Sequence, residues 1–173
     1  MSNFLYSTTV KSVTVTGTPK ENLNTDSMLY GSAYLTSLTI PDKFPSTNYG
    51  ILYSTKLERV DGSFVYKGRH SNSTSDWFFA YSANKTLRYL VVKDIGIRST
   101  DTALNTSYGN VWGINSDSVP DARQSLIDSL ITYSYDRASA GYPTMSITLH
   151  KDVKALLTEE EIAQITAKGY TLI

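Results

Sequence analysis

One six-residue pattern of apolar side chains recurs along this chain and constrains its fold more than any other feature. Val10 to Val15, Leu35 to Ile40 and Leu87 to Val92 each have aliphatic residues at positions one, four and six. Leu57 to Gly62 has glycine at the sixth position, and Thr144 to Leu149 has threonine at the first. A strand with one apolar face cannot bury that face alone, so the copies are expected to stack on each other. The pattern therefore predicts a solenoid of parallel strands.

The fourth positions of the pattern indicate the length of each repeat. Val13, Leu38, Val60 and Leu90 stand 25, 22 and 30 residues apart, in or near the period of about 20–29 residues of leucine-rich repeats. Ile147 follows 57 residues after Leu90, which we interpret as two periods with an insertion. These residues are predicted to lie in one row of a single elongated core.

A second landmark precedes the strands, and we expect it to pack on the convex side of each turn. It is an apolar–aromatic pair, present as Leu5-Tyr6, Leu29-Tyr30, Leu52-Tyr53 and a looser Phe79-Ala80-Tyr81. In the aromatic segment 75–81, Phe79 is expected in the core. Trp77 and Trp112 are expected there too, with an exposed patch on the convex edge as the alternative.

The segment Ser27 to Pro41, which joins Leu29-Tyr30-Gly31 to the Leu35 strand, resembles one turn of the BspA-like leucine-rich repeat family. The similarity runs over roughly residues 4–173 and is strongest at 27–64 and 77–95. The resemblance implies an α/β, β-dominated fold: a short right-handed leucine-rich-repeat solenoid of parallel strands.

The C-terminal segment predicts a helix, a strand and a second helix. Ser118, Pro120 and Asp121 are typical of a helix start, and an apolar face follows at helical spacing: Ala122, Leu126, Ile127, Leu130 and Ile131. Thr158 to Glu161 is a capping-box pattern before the second helix, and Gly169 suits the residue that ends it. Residues 170–173 can add a last strand.

Residues 117–173 are therefore predicted to be a helix–strand–helix cap on repeat turns 1–116, within one domain of residues 1–173. The run from Leu156 to Leu172 also resembles the terminal element of phage tail and baseplate proteins and of gut bacterial repeat proteins. The opposite end has only nine residues before Val10. Either residues 1–9 cover that end, or a protein partner or neighbouring subunit does.

Composition excludes several classes of function. Sixteen basic and sixteen acidic residues give a formal net charge of zero, so no nucleic-acid partner is expected. The chain has no cysteine, which excludes disulfides, cysteine-bound zinc and thiol chemistry. No apolar stretch approaches the roughly 20 residues of a membrane span, and the first residues lack a secretory signal pattern.

Catalytic and metal-binding patterns are weak, and no enzyme activity, metal or cofactor is expected. His70 and His150 stand in a polar loop and at a strand end, where a structural or solvated role is the simpler interpretation. Asp94, Asp101, Asp117 and Asp121 could meet calcium, but carboxylates at turns usually act as caps. Asp61 with Glu58 nearby is the only region that we weigh as a glycosidase-like alternative.

The outward positions between the buried ones form the candidate binding surface. They are rich in hydroxyls at the first turns and become charged and aromatic in the middle: Ser12, Thr14, Ser37, Thr39, Arg59, Asp61, Tyr89, Val91, Ser146 and Thr148. Such side chains suit contact with a glycan or a polar protein surface, although threonine and tyrosine also favour strands without any ligand.

The sequence thus predicts a non-catalytic structural or adhesive module. A virion location in a phage tail, baseplate or fibre is the first expectation, in contact with a partner subunit or a bacterial surface. The alternative is a domain of a bacterial cell-surface adhesin that binds host protein or glycan, and a carbohydrate-active enzyme is the third. Whether copies of the chain associate is left open by the pattern.

Overall fold

The computed structural model describes residues 9–20, 23, 25, 28–29, 31–45, 56–66, 86–106, 111–113 and 119–173. The predictions on residues 1–8, on the pairs Leu52-Tyr53 and Phe79-Ala80-Tyr81, on segment 75–81, and on His70, Asp117 and Ser118 lie outside these ranges.

The described residues contain nine short strands and three α-helices. The strands are β1 (Ser12–Thr14), β2 (Ser37–Thr39), β3 (Phe44–Pro45), β4 (Val60–Asp61), β5 (Phe64–Val65), β6 (Val92–Lys93), β7 (Ala103–Asn105), β8 (Met145–Thr148) and β9 (Tyr170–Leu172). The helices are α1 (Val119–Ile127), which continues into a π-helical segment (Asp128–Thr132), α2 (Lys151–Lys154) and α3 (Glu159–Ala167). The fold is thus α/β, with small parallel sheets and few helices.

The first sheet contains the predicted row of aliphatic residues. Its strand order is β1-β2-β4, all parallel, and Val13 pairs with Leu38, which pairs with Val60. A parallel bridge between Arg59 and Tyr89 continues the same register, so Leu90 follows Val60 in the row. Leu38, Val60 and Leu90 are buried, whereas Val13, in the edge strand β1, is only partly buried.

A second sheet, which the sequence pattern did not predict, is formed by the strands that follow β2, β4 and the Tyr89 bridge. Its strand order is β3-β5-β6, again parallel, and Phe44 pairs with Phe64, which pairs with Val92. Between β4 and β5 the chain passes from the first sheet to the second at Gly62-Ser63, where Gly62 has φ +104°. Strands β2 and β4 are thus each followed within a few residues by a strand of the second sheet, with a corner between the two.

Gly62 stands where the pattern expected an aliphatic residue, because this corner has no room for a side chain. A Cβ atom there would lie against the backbone carbonyl of Ile40 in the preceding turn, well inside van der Waals contact. The glycine therefore sets how closely two successive turns approach each other.

We expect Gly62→Ala to lower the free energy of unfolding by about 2–3 kcal/mol, from left-handed backbone strain plus overpacking. Gly141→Ala is the matched control, because Gly141 also has a positive φ (+68°) but nothing within 4 Å of its Cβ position. Urea unfolding of both variants measures the difference. Equal losses would contradict a steric limit at the corner.

A third sheet contains the C-terminal strands, and it corrects the position of Ile147. The strand order is β7-β8-β9, all parallel, and Ile147 pairs with Leu104 and Leu172. Ile147 is fully buried, but its partners are in this sheet and not in the row that contains Leu90. The sequence pattern gave the wrong neighbour for Ile147 because β7, which contains Leu104, does not show the six-residue pattern.

Helix α1 and the π-helical segment after it are bonded to the main chain at Leu90 and Val92. The Ser125 side chain accepts a hydrogen bond from Leu90 N (3.1 Å) and donates one to Leu90 O (2.5 Å). One helical turn later, the Ser129 side chain accepts a hydrogen bond from Val92 N at 3.0 Å. Two serine side chains thus bind main-chain groups that a further strand would otherwise pair, which is one way to protect a sheet edge.

The predicted features of the C-terminal helices are present. The side chains of Ala122, Leu126 and Leu130 are fully buried, as the apolar face requires. Thr158 and Glu161 form a reciprocal capping box at the start of α3. Gly169 follows the helix with φ +89°, as expected of a left-handed helix end. The strand β9 then begins at Tyr170, as predicted.

A buried arginine joins the loop after β6 to the segment before β8. Arg137 is fully buried, and its guanidinium donates hydrogen bonds of 2.7–3.0 Å to the carbonyls of Gly96, Arg98, Asp101 and Pro143. Nearby, the Tyr170 hydroxyl lies 2.7 Å from the carbonyl oxygens of Ile95 and Tyr135. These bonds fasten the C-terminal segment to the last repeat turn.

Candidate binding face

The outward residues of the first sheet form two rows that cross its strands. We call them together the outer face. The first row contains Ser12, Ser37, Arg59 and Tyr89, and the second contains Thr14, Thr39, Asp61 and Val91. Eight of the ten predicted outward residues therefore lie side by side in this sheet, among them Ser37, Thr39, Arg59, Asp61 and Tyr89.

The first two turns give the outer face a hydroxyl half. Ser12 pairs directly with Ser37, and Thr14 pairs with Thr39. Ser12, Thr14 and Ser37 are exposed and Thr39 is half-buried. Hydroxyl groups both donate and accept hydrogen bonds, so this half can contact a polar partner without carrying a charge.

The next two turns give it a charged half, centred on Arg59. The Arg59 Nε lies 3.3 Å from Asp61 Oδ1, and the two side chains are 59% and 63% exposed. The guanidinium also lies over the ring of Tyr89, 3.8 Å from the ring centroid. An exposed ion pair of this kind adds little stability.

Tyr89 is held from below by the helix that covers the last turn. Its hydroxyl donates a hydrogen bond of 2.5 Å to Asp128 Oδ2, and Gln124 Nε2 donates one of 2.9 Å to Asp128 Oδ1. Burial raises the pKa of Tyr89 to about 12, with a further contribution from the neighbouring Asp128 carboxylate. The phenol therefore stays protonated and keeps donating to Asp128 throughout the physiological pH range.

Val91 does not belong to the exposed surface, which corrects the sequence prediction. Its side chain is only 6% exposed. The residues around it are bonded to α1 and the π-helical segment: Leu90 to Ser125, Val92 to Ser129 and Tyr89 to Asp128. Val91 is thus buried within a segment that is bonded to the helix, whereas Thr14 and Asp61 in the same row are exposed.

Ser146 and Thr148 lie in the third sheet, apart from the strands of the outer face. Ser146 pairs with Ala103 and Thr171, and Thr148 pairs with Asn105. Both side chains are half-buried. The prediction grouped them with Ser37 and Thr39 because the same six-residue pattern surrounds both pairs, and that pattern does not encode which strands pair.

A second group of charges joins the corners of the second and fourth turns. Lys93 Nζ lies 2.7 Å from Asp42 Oδ1, and Lys43 Nζ lies 3.1 Å from Asp94 Oδ2. The hydrogen bond from Lys93, followed by that from Ser63, holds the pKa of Asp42 below its usual value. Asp94, considered above as a calcium ligand, is thus engaged by a lysine.

Two further residues that the sequence singled out, His150 and Trp112, have structural partners. His150 caps α2, since its Nδ1 accepts a hydrogen bond from Asp152 N at 3.3 Å. Trp112 is fully buried, as expected, and its indole nitrogen donates to Ser125 at 3.0 Å. Among the described residues, no group of three or more histidine and carboxylate side chains is arranged to hold a metal ion.

Sequence reasoning missed Asp128 and Gln124, which complete the outer face from a distant helix. Their separation of four residues on one helical segment was the available signal, because it puts both on the same face. Nothing in the local pattern linked that face to Tyr89, which lies 39 residues before Asp128.

No described helix is both long enough and apolar enough to cross a membrane. No protein-family model matches the sequence, and the comparisons with curated proteins and with solved structures found no similar protein.

Proposed function

We propose that this chain is a non-catalytic recognition module: a short leucine-rich-repeat-like solenoid, closed at its C-terminal end, whose outer face contacts a partner. The observation that supports this most directly is the in-register parallel pairing of β1, β2 and β4, continued by the bridge from Arg59 to Tyr89. A flat row of outward side chains follows from that register.

The solenoid proposal is supported by both sheets of the repeat region. Residues four positions into each sequence pattern pair with one another, and the second sheet repeats the same order of turns. Each turn therefore pairs with the turns next to it, as repeat proteins require. On this proposal the C-terminal segment completes the domain, because Ser125 and Ser129 bond the main chain of Leu90 and Val92.

A binding role suits the outer face better than glycoside cleavage does. A general acid for that reaction needs a raised pKa, which comes from a low-dielectric site. Asp61 is instead 63% exposed and pairs with Arg59, and Glu58 is exposed as well. The accessible hydroxyl and charged groups are arranged on an open sheet, the geometry that repeat proteins use for extended contacts.

The virion assignment depends on the resemblance of residues 156–172 to terminal elements of phage tail and baseplate proteins. On this proposal the chain is a tail, baseplate or fibre component that contacts a neighbouring subunit or a bacterial surface. A bacterial cell-surface adhesin remains the second candidate. Antibodies against the chain separate the two, because they label purified phage particles in the first case and intact cells in the second.

The outer face can be tested by blocking it. Ser37 is exposed at the centre of the first row, so Ser37→Trp is expected to weaken binding of the labelled chain to its target particles or cells at least tenfold by obstructing contact, a loss of about 1.4 kcal/mol. Ala163→Trp, on an exposed position of α3, is the matched control. Flow cytometry or pelleting measures binding, and thermal melting confirms folding.

The control variant is expected to bind like the parent chain. If Ser37→Trp melts normally and binds as well as Ala163→Trp, the outer face is not the contact surface and this proposal fails.

A further inference from the structure

We propose that Arg59 is a preorganised oxyanion-binding group and that the ligand of the outer face is an acidic glycan, one that presents sugar carboxylates among its hydroxyls. This inference rests on the proposed function and specifies the ligand class for the same surface. It starts from how firmly the guanidinium is held.

Two contacts fix the plane of the Arg59 guanidinium. The Tyr89 ring lies beneath it at 3.8 Å, and Asp61 accepts from its Nε at 3.3 Å. Within the described residues, Nε is the only atom of this group that bonds a carboxylate, so the edge formed by the two terminal amino groups can meet another oxyanion. The side chain is 59% exposed, so a ligand can reach it.

The support for this plane extends to the helical segment that contains Gln124 and Asp128. Tyr89 cannot swing freely, because its hydroxyl bonds Asp128, which in turn is bonded by Gln124. The main chains of Arg59 and Tyr89 are also paired. An arginine held in this way loses less side-chain freedom when it binds, and that loss is a main cost of forming polar contacts.

The chemistry of the fork selects carboxylates. A planar guanidinium matches the two oxygens of a carboxylate in a bidentate contact, and such charge-assisted bonds are about twice as strong as neutral ones. Asp61 offsets the charge of Arg59, and the Asp128 carboxylate is bonded to Tyr89, so this site carries no excess of positive charge. Geometry therefore decides the selectivity more than net charge does.

The neighbours of Arg59 favour a sugar over an acidic peptide. Ser37 is next to Arg59 in the first row, and Ser12, Thr14 and Thr39 continue the hydroxyl half. Protein contacts usually centre on large apolar or aromatic anchors. At the outer-face positions of the described strands, none of the large apolar side chains is among the exposed ones. Hydroxyl groups beside one carboxylate-binding guanidinium suit a chain of uronic acids.

Isothermal titration calorimetry with tetragalacturonate and with a neutral galactose tetrasaccharide tests this inference on the full chain. Tetragalacturonate is expected to bind at least about tenfold more tightly than its neutral counterpart, because a hydrogen bond to a charged group contributes that much. Arg59→Gln should remove this preference. Arg59→Lys should remove it too, because lysine keeps the charge but lacks the planar guanidinium.

Two further variants separate positioning from charge. Tyr89→Leu removes the platform but leaves Arg59, and it should weaken binding of tetragalacturonate by about threefold to tenfold, the cost of immobilising one long side chain again. Arg98→Gln removes an exposed arginine outside the outer face and should bind like the parent chain. Thermal melting checks that each variant is folded.

Equal binding of the acidic and neutral saccharides, or full binding by folded Arg59→Gln, overturns this inference. A glutamate tetrapeptide that binds more tightly than tetragalacturonate overturns the glycan assignment in favour of an acidic peptide. In these cases the proposed function still stands if Ser37→Trp abolishes contact with the target. Failure of that separate blocking assay removes the proposed function itself.

Discussion

Leu38→Asp is expected to leave the chain unfolded. Leu38 is 1% exposed and lies in the central strand of the first sheet, between Val13 and Val60. Removing a buried leucine costs about 3–5 kcal/mol, and an unpaired buried carboxylate adds several more. The total approaches or exceeds the roughly 5–15 kcal/mol by which a domain is stable.

Ser37→Asp is the matched control one position earlier. Ser37 is exposed, and its neighbour in the first row is Arg59. The change is therefore expected to alter the free energy of unfolding by no more than about 0.5 kcal/mol. Circular dichroism and urea unfolding measure both variants. Similar behaviour of the two would mean that the inward and outward positions of the repeat are misassigned.

Arg137→Ala should lower the free energy of unfolding by about 3–5 kcal/mol, because several carbonyl oxygens lose their hydrogen bonds to a charged donor. The variant leaves the carbonyls of Gly96, Arg98, Asp101 and Pro143 without the guanidinium that bonds them. Unpaired buried acceptors are expensive because they lose water without gaining a partner.

Arg137→Lys distinguishes charge from geometry at the same position. Lysine keeps the charge, but its three donors sit on one nitrogen and cannot reach carbonyls arranged around a planar group. We expect it to recover less than half of the stability that Arg137→Ala loses. Arg88→Ala, at an exposed position, should be neutral within about 0.5 kcal/mol. A lysine variant as stable as the parent chain would argue against a role for the planar fork.

The row of the first sheet could be predicted from the sequence because inward positions repeat at nearly constant spacing. The burial of Leu35, Leu38 and Ile40 could be predicted from the six-residue pattern that contains them. The capping box of α3 and the glycine after it were also predictable, since both depend on residues within one helical turn.

The second and third sheets were not predictable in the same way. β3, β5 and β6 contain two residues each, too few to show an alternation. β7 has a single large aliphatic residue, Leu104, and its pairing partner Ile147 is distant in the chain. The link from Tyr89 to Asp128 likewise depends on where a helix packs, which no local spacing encodes.

The bonding of Ser125 to Leu90 and of Ser129 to Val92 in β6 has a consequence for how such a chain can change in length. Each serine accepts from a main-chain N–H group, which any residue except proline provides at those positions. Coils gained or lost upstream by duplication or deletion would leave this junction intact. Related chains could thus differ in the length of the outer face and still keep the same C-terminal segment.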